Sequence, residues 1–276
     1  MSRTPTVVLL PGLLCTPRVF DAVLPYLRRA HPALRFEVPP LPLAPTMEAI
    51  GRAVLAQFPA GPLALCGLSM GGYASLAAAA AAPDRVVGLF LLNSHTRADA
   101  AEALTKRAAS VARVAAGGAA ALLEVAAAQA AALLHPARVP SDALVAAKEV
   151  AWCGAGGVAA SHPAFAQFVA GAVAVGAEAF CEQQRANASR ADAAPVMAQL
   201  GARGAALGAA TGSHDTLIPL ELAEESLRQG GPDGELTIFP ECGHLSPLEA
   251  PEAVAEAVGR WLAKVQWRGG GGAPLL

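Results

Sequence analysis

Two kinds of apolar pattern alternate along this chain. Short, nearly continuous apolar runs occur in TVVLL at 6–10, PLALC at 62–66 and VVGLFLL at 86–92, and each predicts a strand. RFEVP at 35–39 and ELTIFP at 235–240 predict two more. GAALGAAT at 204–211 predicts a weaker one, because alanine and glycine are poor strand formers. Between these runs, apolar residues recur at helical spacing. Val19, Phe20, Val23, Leu24 and Leu27 predict a helix within 17–30, and others follow at 47–58, 73–81, 220–229 and 251–265. Thr46 can cap the second helix, with Glu48 near its positive end. PPLPLAPT at 39–46 reads as a proline-rich loop, and Pro251 suits the first turn of the last helix. Apolar strands alternating with helices predict a parallel sheet covered on both faces.

The middle departs from that alternation. From about Thr96 to about Leu200 strand signals vanish, and alanine-rich helical segments lie near 98–116, 119–134, 141–151 and 163–187. Breaks fall at Gly117-Gly118, His135-Pro136, Gly154 to Gly157 and His162-Pro163. A helical cap inserted into an α/β core is expected, an insertion that loop tips tolerate. The expected organisation is core at 1–95, cap at 96–200, core again at 201–268 and a disordered tail at 269–276.

Composition narrows the function classes. The chain has 276 residues, is 54% hydrophobic and carries a formal net charge of -2. That balance suggests neither nucleic acid nor an anionic membrane as a partner. No run of about 20 strongly apolar residues stands out, so no spanning helix is expected. The N-terminus, with one basic residue before a short apolar run, reads as a first strand and not a signal peptide. A cytoplasmic monomer or homodimer is the default expectation. Five cysteines (15, 66, 153, 181 and 242) follow no metal-site spacing, and most are expected to be reduced and buried.

Gly67-Leu68-Ser69-Met70-Gly71 matches G-x-S-x-G between a predicted strand and a predicted helix. In that setting the glycines relieve crowding around a strained serine. The plain alternative is a structural corner. A serine hydroxyl needs a general base, normally histidine, oriented by a carboxylate. Histidines stand at 31, 95, 135, 162, 214 and 244. His244 follows the ELTIFP strand and so shares with Ser69 the C-terminal sheet edge, where open parallel sheets bind ligands. Asp215 follows the 204–211 strand onto the same edge. His214 is a rival base that fits a loop residue better. Glu241 is too near His244 in sequence to reach its outer ring nitrogen easily, and Glu249 is expected to cap or brace that loop. An oxyanion hole would use the amide of Met70 and one from LLPGLLCT, where Leu13 is the better placed and Leu14 the alternative. Arg107, Arg113, Arg138, Arg185 and Arg190 lie in the cap. They are expected mainly to solubilise its outer face, with contact to a substrate carboxylate as the alternative.

GLSMGG at 67–72, LLPGLLCT at 9–16 and GHLSPLEAPEAV at 243–254 resemble the α/β-hydrolase superfamily. More narrowly, they resemble small bacterial esterases and lactonases, including pimeloyl-carrier-protein methyl ester esterases and 3-oxoadipate enol-lactonases. The resemblance covers 6–93 and 203–265, with a helical cap between. It implies an α/β-hydrolase fold and Ser69, Asp215 and His244 as a catalytic triad. It also implies Leu13 and Met70 amides at the oxyanion, no cofactor or metal, and a small-molecule ester or lactone as substrate. A non-enzymatic small-ligand receptor on the same fold is the alternative from another class. The chain departs from many relatives in having Pro11 where they have histidine, and in the small residues of GAALGAAT.

Overall fold

A computed structural model describes residues 5–154 and 156–267. The expected tail at 269–276 lies outside the described residues. Among the described residues six strands form one sheet in the order β2-β1-β3-β4-β5-β6. They are β1 (Thr6–Leu10), β2 (Arg35–Glu37), β3 (Leu63–Leu68), β4 (Val86–Leu92), β5 (Ala206–Gly212) and β6 (Glu235–Phe239). All neighbouring pairs are parallel. The continuous apolar runs are explained by burial on both faces. Val7, Leu9, Cys66, Phe90 and Leu92 face one core, while Val8, Leu10, Leu65, Leu89 and Leu91 face the other. The first core includes α1 (Leu24–Ala30) and α12 (Pro251–Leu262), and the second α2 (Met47–Gln57), α3 (Met70–Ala81) and α10 (Leu220–Gln229).

β5 holds its interior place between β4 and β6 despite its composition because its small residues make room. A Cβ at Gly208 would run into the ring of Phe90, which packs 5.4 Å from Trp261. Trp261 is fully buried and donates its indole N–H to the Ala206 carbonyl at 3.0 Å. Bulk that β-propensity would place on the strand is supplied instead by its neighbours.

The insertion between β4 and β5 consists of α4 (Ala101–Leu133), α5 (Ala143–Cys153), α6 (Gly156–Ser161), α7 (Pro163–Val175), α8 (Ala177–Ala188) and α9 (Ala194–Ala202). By length and composition alone the uninterrupted α4 passes for a membrane-crossing helix. Yet Gly118, at φ 57° and ψ -140°, breaks it into two pieces. Each piece falls short of the roughly 20 residues a hydrocarbon core requires, and α4 packs along α5, α7 and α8. The break expected at Gly117-Gly118 is therefore present as a kink. The helix expected over 163–187 instead bends by 95° at Gly176, whose φ is 83°.

Other departures have local causes. The segment 17–30 splits into a short 3-10 turn, Pro17–Phe20, and α1, with Pro25 in the first turn of α1. Proline deep inside a longer helix would lose a hydrogen bond and clash with the preceding turn. Thr46 caps α2 as expected, its Oγ1 accepting from Ala49 N–H at 3.2 Å. The short helix α11 (Ser246–Glu249) follows His244 and lacked a periodic signal because it is a single turn.

Candidate active site

The chain runs from β1 outward to β2 and then returns to place β3 on the other side of β1. The loops after β1 and β3 therefore diverge, which opens a crevice at the C-terminal sheet edge. Ser69 stands there between β3 and α3 with φ 50° and ψ -114°. For a residue with a side chain this conformation costs about 1–3 kcal/mol and requires surrounding support. Ser69 N–H donates to the Leu92 carbonyl at 2.9 Å, and Ser94 Oγ donates to the Ser69 carbonyl at 2.9 Å. The flanking glycines supply space: a Cβ on Gly71 would strike the Leu10 carbonyl, and one on Gly67 the backbone of Gly71. Met70 opens α3, so its N–H is one of the helix's orphan donors. Its side chain is fully buried below the edge.

The loop after β1 lies against this corner, since a Cβ on Gly12 would sit 3.5 Å from that of Ser69. Within it the two candidate amides differ. Leu14, at φ 60°, donates its N–H to Gln183 Oε1 of α8 at 3.2 Å. Among the described residues the Leu13 N–H has no acceptor. Leu13 therefore retains the available donor, and Leu14 is tied to the cap.

Asp215 and His244 are brought together from the loops after β5 and β6. His244 Nδ1 lies 2.8 Å from Asp215 Oδ2, and the residues are 2% and 5% exposed. Asp215 Oδ2 also accepts from Asn93 Nδ2 at 2.9 Å and Thr211 Oγ1 at 3.3 Å. Asp215 Oδ1 accepts from the Leu217 and Ile218 amides at 3.0 and 2.9 Å. Burial by itself would raise this carboxyl, but the His244 charge and the donated hydrogen bonds outweigh it and hold Asp215 below the usual range. An ionised Asp215 is suited to fix a tautomer with its Nδ1 proton toward the acid and Nε2 free. Asp215 does not line the cavity. His244 does, together with Ser69 and Leu13, and the cavity measures about 500 Å3.

A family model described as the alpha/beta hydrolase family matches residues 7–257. The chain belongs to this family. Among solved structures it is similar to a thermophilic esterase from Thermogutta terrifontis, solved with malate bound, at 24% identity and TM-score 0.73, covering 94% of this chain and 90% of that one. It is similar to the enol-lactonase from Burkholderia xenovorans at 18% identity and TM-score 0.70, covering 95% and 92%. A carboxylesterase structure from Nitrososphaera gargenis matches at 19% identity and TM-score 0.69, covering 96% and 92%. These likenesses concern the fold. No curated protein matches the chain.

In this hydrolase-family member two supporting residues carry more than sequence reasoning assigned them. Asn93 directly follows β4, with φ 48°. It donates to Asp215 and to the Gly243 carbonyl, at 3.3 Å, and accepts from Ser246 Oγ at 2.5 Å. It thereby joins the acid loop to both sides of His244. Its only sequence signal is an asparagine directly after an apolar strand. Glu249 was expected to brace, and its carboxylate accepts from the amides of Gly243 and Leu245 at 3.2 Å and of His135 at 2.8 Å. The rival Glu241 is largely exposed, and His214 lies at the surface with its Nδ1 3.0 Å from Ser213 Oγ.

Other reactive side chains along the cavity are unsuited to compete. Burial pushes the Cys15 thiol up to about 12, so it carries little thiolate near neutral pH. Burial, with help from the Arg190 charge, pushes His95 down to about 4, which makes it a weak base. The cap arginines divide. Arg113 and Arg185 face outward, and Arg138 approaches Glu249 at 3.4 Å. Arg107 and Arg190 instead line the cavity and share Asp99, each at 2.6 Å. Arg190 also stacks 4.1 Å over the ring of Tyr73 in α3. The expectation that these five serve the outer face is wrong for these two, because Asp99 and Tyr73 compensate their burial.

Proposed function

We propose that the chain hydrolyses small carboxylic esters through Ser69, His244 and Asp215. The observation that carries this reading is the buried Asp215–His244 pair, 2.8 Å apart, beside a cavity that the strained Ser69 also lines. Ser69 Oγ attacks the ester carbonyl while His244 Nε2 takes its proton. Asp215 holds the ring and stabilises the imidazolium. The Leu13 and Met70 amides receive the oxyanion. The carbon–oxygen bond to the leaving group breaks, and His244 returns its proton to the departing alkoxide. Water then repeats the sequence on the acyl-enzyme and releases the acid. None of these steps calls for a cofactor.

A lactone or ester carrying a second, acidic group is the other reading, and the cavity charge favours it. Arg107 and Arg190 share one carboxylate, which leaves a net positive wall near the proposed nucleophile. A panel of nitrophenyl esters, half-esters of dicarboxylic acids and lactones tests both. Turnover is expected, with a fall on the order of 10^4-fold or more in Ser69→Ala. Rates unchanged in that variant contradict the mechanism. Tight ligand binding without turnover in the wild type would favour a receptor.

A further inference from the structure

We propose that His135, His214 and Glu241 form a binding site for a divalent transition-metal ion of the zinc class, which clamps the cap to the two loops bearing Asp215 and His244. This site is independent of the role given to Ser69. The three side chains come from separate stretches of chain: His135 follows α4, His214 follows β5, and Glu241 follows β6. Their potential ligand atoms all lie within 4.8 Å of one another. His135 Nε2 is 3.4 Å from Glu241 Oε2, and the two imidazole rings are 4.3 Å apart at 78°.

Ligand atoms on a tetrahedral zinc, at bond lengths of roughly 2.0–2.2 Å, sit about 3.3–3.6 Å from each other. The His135–Glu241 edge already has that length. Bringing His214 into place takes on the order of 1 Å of side-chain movement, which the exposed His214 and Glu241 side chains permit. Two imidazoles and one carboxylate suit zinc better than magnesium or calcium, and water can complete the shell.

The contact behind His214 favours this assignment, and the one behind His135 has to be exchanged. Ser213 Oγ can accept the His214 Nδ1 proton at 3.0 Å, which leaves Nε2 as the ligand. His135 Nδ1 accepts from Ala137 N–H at 3.3 Å. Ligation through Nε2 moves the ring proton to Nδ1 and gives up that long contact. The backbones are fixed beforehand: His135 N–H donates to Glu249 at 2.8 Å, His214 N–H donates to the Cys242 carbonyl at 2.8 Å, and Glu241 is held at φ 49°. A bound ion would therefore join segments whose backbones already meet.

The test is calorimetric titration of zinc chloride into the full chain after chelator treatment and dialysis. One equivalent is expected to bind, and zinc is expected to raise the melting temperature, since it binds the folded chain. His214→Ala and Glu241→Gln are each expected to weaken binding at least about tenfold, the loss already typical of removing an outer-shell partner. Cys153→Ser and His162→Ala, which remove an exposed and a half-buried donor elsewhere, are expected to leave it unchanged. Absence of stoichiometric binding would overturn the proposal. So would binding that survives both ligand substitutions, or that Cys153→Ser abolishes.

Discussion

Asn93 shows how much of this site depends on a residue that need not touch substrate. Its amide holds Asp215 Oδ2, the Gly243 carbonyl and Ser246 together, so its removal frees both loops around His244. Replacement by alanine also leaves a buried acid short of a donor. Small misplacements of reacting groups cost up to about 10^2-fold in rate. Asn93→Ala is therefore expected to lower kcat 10- to 100-fold by that measure, with KM nearly unchanged. Steady-state kinetics on a nitrophenyl ester would check this. A KM-dominated loss would move Asn93 from positioning to substrate contact. The same scale explains what a sequence can reveal. Ser69 stood out because its pentad has a fixed spacing, and His244 and Asp215 because they follow strands. Asn93 had no such spacing, since its function arises from a backbone at φ 48° and from partners more than a hundred residues away.

Elements were legible where one local rule governed them. β1, β4 and α10 have the limits their apolar patterns predict. The cap was legible in its breaks more than in its lengths, because alanine-rich sequence lacks a strong apolar face and leaves glycine and proline to mark the ends. Gly118 is the informative case. A Cβ there meets nothing within 4 Å, so substitution is penalised only through its positive φ. Gly118→Ala is expected to cost about 1–3 kcal/mol. Urea denaturation would measure it, and an unchanged midpoint would mean that the two halves of α4 straighten at no cost. β5 teaches the opposite lesson. Its composition made it only a weak strand prediction, yet the missing bulk accommodates Phe90 and Trp261. Propensity cannot anticipate volume supplied from residues 118 and 53 positions away, as Phe90 and Trp261 are from Gly208.

At the scale of the whole molecule, a parallel sheet directs the ends of β1, β3, β4, β5 and β6 to one edge, and the cap encloses the crevice formed there. Ties from the cap reach three of the elements around it: Gln183 to Leu14, Arg190 to Tyr73, and the Leu133 carbonyl to the His244 amide at 2.6 Å. The sheet and the existence of the insertion were readable from periodicity. The lining of the cavity was not, because arginines in an alanine-rich insertion look alike until Asp99 and Tyr73 are found beside two of them. The central claim is that Ser69 is a nucleophile activated by His244. It is tested most directly by intact-mass analysis after treatment with a fluorophosphonate, followed by peptide mapping. One covalent adduct per chain is predicted, on Ser69, absent in Ser69→Ala and strongly slowed in His244→Ala. An unmodified wild-type chain, or an adduct that persists in Ser69→Ala, would contradict the account.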